Sequence, residues 1–445
     1  MPAAPVVILH GYSDDRRSFV PLSRFLKDKG FHVVPIYLGD YLTLEDAITI
    51  PDLAKAFDAA LRATGLPVDQ AGGLDLVVHS TGSLVAREWM TRFYLEAGRK
   101  CPVAHYLMLA PANHGSPLGH LGKTMFGRIV KGWKTGFESG TQVLNSLELA
   151  SPYTWSLARR DLFGDRSFYR PDVCMAAVLV GSRPYQSGLR RLVDKNGGDG
   201  TVYVCTANLN TTGLSVRFHR QTQPAEVSVW PGAARPIALG VFPDRDHSTI
   251  TRPDTGDAGL GELVVDFLTL ASPAAYAAYR QRCDRLTAAT LPAAPAADIY
   301  HTYQNLVARV TDDLGYPVPD YFLEFYEAPR TPRDNLRVDD LMVKVHAEIL
   351  ESVHACTNDP SFRSLIFDLT DLNRALAGGR KLMFSLSAAP LSGIVGYSAG
   401  AANDISELPV DLQPGQSFWR PNQTVLADLI VERTQAEKAF RLYRA

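Results

Sequence analysis

The stretch Leu74-Asp75-Leu76-Val77-Val78-His79-Ser80-Thr81-Gly82-Ser83-Leu84-Val85-Ala86-Arg87-Glu88-Trp89-Met90 decides how this chain is read. An apolar, β-branched run ends at His79, small polar residues follow, and a helical pattern begins at Thr81 and continues to about Glu96. A serine at so sharp a strand-to-helix turn projects its hydroxyl above the sheet edge. The helix N-terminus and the backbone N–H of Thr81 then face any negative charge that develops there. Ser80 is therefore the candidate nucleophile.

Working outward, the same alternation of short apolar runs and amphipathic helices continues on both sides. Upstream lie PVVILH, a helix from Phe19 to Lys29, HVVPIYL, and a helix from Pro51 to Thr64. Downstream come AHYLMLAP, CMAAVLVGS, SVRFH, VSVW, IALGVF and a helix from Asp257 to Leu270. Alternation of this kind predicts an α/β domain with a mostly parallel sheet and helices on its faces. The rhythm stops between Gly115 and Asp172, where Phe126, Trp133, Phe137 and Trp155 stand in Gly-rich text. Long excursions usually have a function. This one leaves the carboxyl end of a strand, where α/β sheets bind ligands, so residues 116–172 are read as a lid, with an extra packing subdomain as the alternative.

A chain of 445 residues exceeds one ordinary core. The first domain is expected over 1–275. The Ala/Pro-rich text around TAATLPAAPAAD marks a linker over 276–298. In residues 299–445 the runs NLVARVTD, YFLEFYE, SLIFDLTD, KLMFSLSA and TVLADLIVER predict an antiparallel β-sandwich. This second domain is read as a targeting module or as a stabilising partner.

Lys plus Arg at 45 against Asp plus Glu at 47 leaves a formal net charge of -2. No global field would recruit nucleic acid or an anionic membrane. The five cysteines lie far apart, without CxxC spacing or a cluster of histidines, and read as buried reduced thiols. The N-terminal text has no basic region before its short apolar run, and no stretch approaches the roughly 18 apolar residues of a membrane span. A cytoplasmic protein is the expectation, signal-independent export aside.

The turn at Ser80 resembles the nucleophile elbow of the α/β-hydrolase superfamily, usually Gly-x-Ser-x-Gly, with Val78 standing at the first glycine. A literal match, Gly396-Tyr397-Ser398-Ala399-Gly400, is set aside. The text after it has no helical stripe, and no histidine follows His354, whereas the superfamily order is serine, acid, histidine. ILHGYSDD resembles the His-Gly oxyanion loop of lipases. That match implies that the backbone N–H groups of Tyr12 and Thr81 hold the oxyanion, at about 3 to 4 kcal/mol per donor. Asp199, in a Gly-Gly-Asp-Gly-Thr-Val turn, resembles the lipase acid loop, with Asp194 as the alternative acid and a simple turn residue as the plainer reading.

His247, in GVFPDRDHSTITRP, completes the order Ser80, Asp199, His247. Of the other histidines weighed, His114 and His120 precede the acid, and His219 lies too near a strand interior. The text LMLAPANHGSPLGHLG resembles a strand and Gly-Ser-Pro-Leu turn of lipases, of GPI inositol-deacylase-like proteins and of the lecithin:cholesterol acyltransferase group. The resemblance covers about residues 4–270. It implies a serine hydrolase of the lipase, esterase or phospholipase kind that forms an acyl-enzyme on Ser80 and uses no metal or organic cofactor. The aromatic excursion favours a hydrophobic or lipid ester, with peripheral contact to lipid. An acyltransferase with the same triad and a non-catalytic binding module are the alternatives.

Overall fold

The computed structural model describes residues 4–10, 19–36, 47–119, 140–164, 166–183, 197–218, 225–232, 237–254, 259–290, 301–328, 339–389, 395–397, 408–409, 411–413 and 416–435. Tyr12, His120, Asp194, His219 and Ser398 fall outside them. The chain divides into two units, Met1–Thr211 with Pro231–Tyr300, and Thr212–Trp230 with His301–Ala445.

In the first unit, strands β1 (Val6–Leu9), β2 (Val33–Ile36), β3 (Leu74–His79), β4 (Val103–Leu109), β5 (Met175–Gly181) and β8 (Ala238–Phe242) form one sheet in the order β2-β1-β3-β4-β5-β8. Every pairing in it is parallel. β3, β5 and β8 are buried at every position, as strands covered on both faces must be. From β1 the chain adds β2 on one side, then returns to place β3, β4 and β5 on the other. That reversal opens a crevice at the carboxyl ends of β1 and β3, and β3 delivers Ser80 directly to it.

The helices are α1 (Val20–Asp28), α2 (Ile50–Ala63), α3 (Gly82–Met90), α4 (Thr141–Leu147), α5 (Pro152–Asp161), α6 (Val204–Ala207), α7 (Leu260–Leu268) and α8 (Pro273–Thr290). α2 starts on a capping box in which Thr49 and Asp52 satisfy each other's backbone N–H, with Pro51 in the first turn. α3 is buried along its whole length, so its charged residues need partners. The Arg87 guanidinium meets Asp161 of α5 through two bonds of 2.8 and 2.9 Å. Glu88 accepts from Arg92 at 2.7 Å and from the Tyr153 hydroxyl at 3.2 Å. Within the excursion read as a lid, residues 120–139 lie outside the described ones, and α5 is bolted to the helix that follows Ser80.

α8 occupies residues that composition had assigned in part to a linker. Alanine is the best helix former, and Tyr276, Tyr279 and Cys283 bury one face of the helix. α8 also closes the open edge of β8. The Tyr276 hydroxyl accepts from Ala238 N at 3.0 Å, and Thr287 Oγ1 donates to Leu239 O at 2.9 Å and accepts from Val241 N at 3.2 Å.

The runs SVRFH and VSVW are not part of the parallel sheet, contrary to the alternation read from sequence. They belong to β6 (Thr211–Phe218) and β7 (Glu226–Val229), an antiparallel pair in the sheet of the second unit. The physical reason lies in their period. Leu214, Val216 and Phe218 are buried and alternate with Ser215 and Arg217, the pattern of a strand covered on one face.

That six-stranded sheet runs β11 (Leu350–Ala355), β12 (Phe362–Asp368), β9 (Tyr303–Asp312), the strand Gln423–Val431, β6 and β7. A three-stranded sheet joins β10 (Tyr321–Ala328), β13 (Lys381–Ala388) and the strand Leu408–Pro409. Side chains of both sheets share one core, with Phe325 packed edge-on to Phe367 at 5.1 Å. The sandwich is mixed rather than wholly antiparallel, because Gln423–Val431 pairs parallel with β9. Residue alternation is the same for either direction, so the sequence could not distinguish them.

All five cysteines are buried and free. Among the described residues no helix is long and apolar enough to cross a membrane.

Candidate active site

Ser80 sits at φ 53, in the left-handed region that a non-glycine residue occupies only when its surroundings hold it there. They do so here. Ser80 N donates to Leu109 O at 3.2 Å, while Ser80 O accepts from Ser83 N at 3.1 Å, Ser83 Oγ at 2.8 Å and Ala112 N at 3.3 Å. Thr81 caps α3, so its N–H is one of the donors that the helix itself leaves unpaired.

The Ser80 hydroxyl lies 3.1 Å from His247 Nε2, and His247 Nδ1 lies 2.8 Å from Asp199 Oδ2. A carboxylate accepts only, so Nδ1 carries the proton and Nε2 is left as an acceptor facing the Ser80 hydroxyl. Asp199 is fully buried. Its other oxygen accepts from Thr201 N at 2.9 Å and Val202 N at 2.8 Å, and its main-chain carbonyl accepts from His247 N at 3.0 Å. Ser80, Asp199 and His247 are thus brought together, as their order in the chain predicts.

Two further supports hold the loops that carry the acid and the histidine. Ser116, in the Gly-Ser-Pro-Leu turn, donates to Thr201 O at 2.6 Å and so braces the loop of Asp199. The His247 loop winds around Asp246, whose Oδ1 accepts from Ser248 N at 2.9 Å and Thr249 N at 2.8 Å, and around buried Arg245. Where that loop crosses the end of β5, a Cβ on Gly181 would stand 2.0 Å from Arg245 O, so only glycine fits.

His114 stands apart from these three residues. Its Nε2 faces Thr211 Oγ1 at 2.9 Å, and burial pushes its pKa down to about 3, so the ring is neutral. In the second unit, His301, Asp368 and Asp371 each bring one ligand-type atom within 4.8 Å of the others. These atoms are engaged locally: Asp368 accepts from His301 and caps the helix Leu369–Ala375, and Asp371 pairs with Arg374 at 2.8 Å.

No family model matches this chain, and neither does any curated protein. Among solved structures, the phospholipase PlaB from Legionella pneumophila superposes with a TM-score of 0.82 at 24% identity, over 99% of this chain and 96% of that one. The same phospholipase in complex with thio-NAD gives a TM-score of 0.80 with the same identity and coverage. The lipase BlEst2 from Bacillus licheniformis, in propeptide form, gives 0.39 at 11% identity, over 92% of this chain and 93% of that one. The likeness to PlaB is one of fold, and it extends over both units.

Proposed function

We propose that this chain, which folds as an α/β-hydrolase, is a serine carboxyl-ester hydrolase acting on hydrophobic or lipid esters through Ser80, His247 and Asp199. The observation that carries the reading is the unbroken relay from Ser80 Oγ to His247 Nε2 and from His247 Nδ1 to Asp199 Oδ2, at 3.1 and 2.8 Å, on a serine held at φ 53. His247 Nε2 takes the Ser80 hydroxyl proton as Oγ bonds to the ester carbonyl carbon, and the carbonyl oxygen becomes an oxyanion. As the tetrahedral centre collapses, the C–O bond to the alcohol breaks and His247 returns the proton to the leaving oxygen. Water then repeats the sequence on the acyl-enzyme and frees the acid. Thr81 N–H, at the start of α3, supports the oxyanion, and by its match in sequence Tyr12 N–H is the second donor.

The test is turnover of p-nitrophenyl esters over a range of acyl lengths by wild type and Ser80→Ala, with product analysis in the presence of an alcohol acceptor. Ser80→Ala is expected to lose on the order of 10⁶ in kcat, as for nucleophile loss in other triads. Medium or long acyl chains are expected to outrank acetyl. A Ser80→Ala protein with wild-type turnover would sink the assignment, and predominant transfer to the alcohol would make the enzyme an acyltransferase.

A further inference from the structure

One side chain near the triad belongs to none of the roles above. His79, the last residue of β3 and only 2% exposed, places Nε2 2.9 Å from the main-chain carbonyl of His247, and the two imidazole rings lie with centroids 4.6 Å apart. A carbonyl only accepts, so Nε2 of His79 carries its proton and donates. Besides its contact with Ser80, His247 meets Asp199 O through its N–H at 3.0 Å, Asp199 Oδ2 through its ring at 2.8 Å, and His79 through its carbonyl. The contact with His79 differs in kind from those with Asp199. Asp199 fixes His247 to the acid loop, whereas His79 is covalently joined to Ser80 itself. One peptide bond and one hydrogen bond connect the main chain of the nucleophile with that of the base.

We propose that His79 is a positioning residue that sets the distance between Ser80 and His247 through its hydrogen bond to the His247 carbonyl. The inference rests on the reading of Ser80 and His247 as nucleophile and base. A packing role alone would need only the ring, which also meets Phe19 edge-on at 5.5 Å. A positioning role needs the Nε2 donor. Two substitutions in the full chain separate these: His79→Phe keeps a ring and removes the donor, and His79→Gln keeps an N–H at similar reach and removes the ring.

Three quantities are measured: kcat and KM on p-nitrophenyl butyrate, the rate of Ser80 labelling by a fluorophosphonate, and the thermal midpoint. Loss of position without loss of substrate binding lowers kcat and the labelling rate together in His79→Phe, by about 10- to 100-fold, with KM nearly unchanged. His79→Gln is expected to recover most of both. If His79→Phe does not fold, His79→Leu takes its place in the comparison. A folded donor-less variant with wild-type kcat and labelling overturns the proposal, and so does a His79→Gln protein as impaired as His79→Phe while equally stable. Failure of the underlying reading shows separately: wild type itself is then not labelled at Ser80.

Discussion

Gly82 stands two residues beyond Ser80, where a Cβ would lie 2.8 Å from Leu9 O and 3.0 Å from His10 O. Two effects oppose each other in Gly82→Ala. In an open helix the change gains about 1 kcal/mol from propensity, but here the clash is with backbone, which has little room to give. The clash wins, and the substitution is expected to cost about 1–3 kcal/mol. It should also lower ester turnover, because the strand it displaces leads into the segment that carries Tyr12. Chemical denaturation and kcat check this, and a variant as stable as wild type would mean that the end of β1 yields. The same contact explains why Val78 is tolerated at the usual first glycine. Val78 pairs in register with Leu9 and Met108 and is buried in the sheet, while the close approach falls on Gly82. Ser80, Asp199 and His247 were legible because each sits at a local turn signal and their chain order fits one known arrangement. His79 was not legible, since its partner is the main chain of a residue 168 positions away.

α3 and α5 are held by charges that water cannot reach. Burial opposes the charge on Arg87, and the Asp161 carboxylate overcomes this, holding the guanidinium above its ordinary pKa. Asp161 also accepts from the Tyr169 hydroxyl at 3.0 Å, and Arg87 donates to Asn113 O at 3.0 Å. Asp161→Ala leaves an unpaired buried cation and is expected to cost about 3–5 kcal/mol. Replacing both partners, as Arg87→Met with Asp161→Leu, should recover most of that loss, because the expense lies in stranding one charge rather than in losing the pair. Denaturation midpoints of the two single variants and the double variant measure the coupling, and additive losses would refute it. From the sequence Arg87 looks like the polar face of an ordinary helix, and nothing local points to a partner 74 residues on. Helix α8 differs in part from the linker that composition predicts, for a related reason. Alanine-rich text serves a linker and a helix equally well, and what decides is the stripe Tyr276, Tyr279 and Cys283 together with the strand edge that it meets.

The second unit is not one continuous piece of chain. It takes Thr212–Trp230 from within the first unit's span, so the boundary that composition places at about residue 299 cuts through a sheet. Linker composition can mark where a chain leaves a domain, but it cannot show that a hairpin visited the later domain beforehand. Only the alternation of Leu214, Val216 and Phe218 gave a hint, and those three residues sit in the second unit's core. This has a consequence for truncation. A fragment of residues 299–445 lacks β6 and β7, exposes the edge of Gln423–Val431 and opens the core that β6 covers. A fragment of residues 1–298 keeps a two-stranded hairpin with nothing to pair with, and an isolated hairpin is marginal in water. Each fragment alone is therefore expected to be poorly soluble or aggregated, whereas the full chain stays monodisperse. Size-exclusion chromatography and circular dichroism of the three proteins decide it. A 299–445 fragment that unfolds cooperatively at the full chain's midpoint would show that the six-stranded sheet does not need its inserted hairpin.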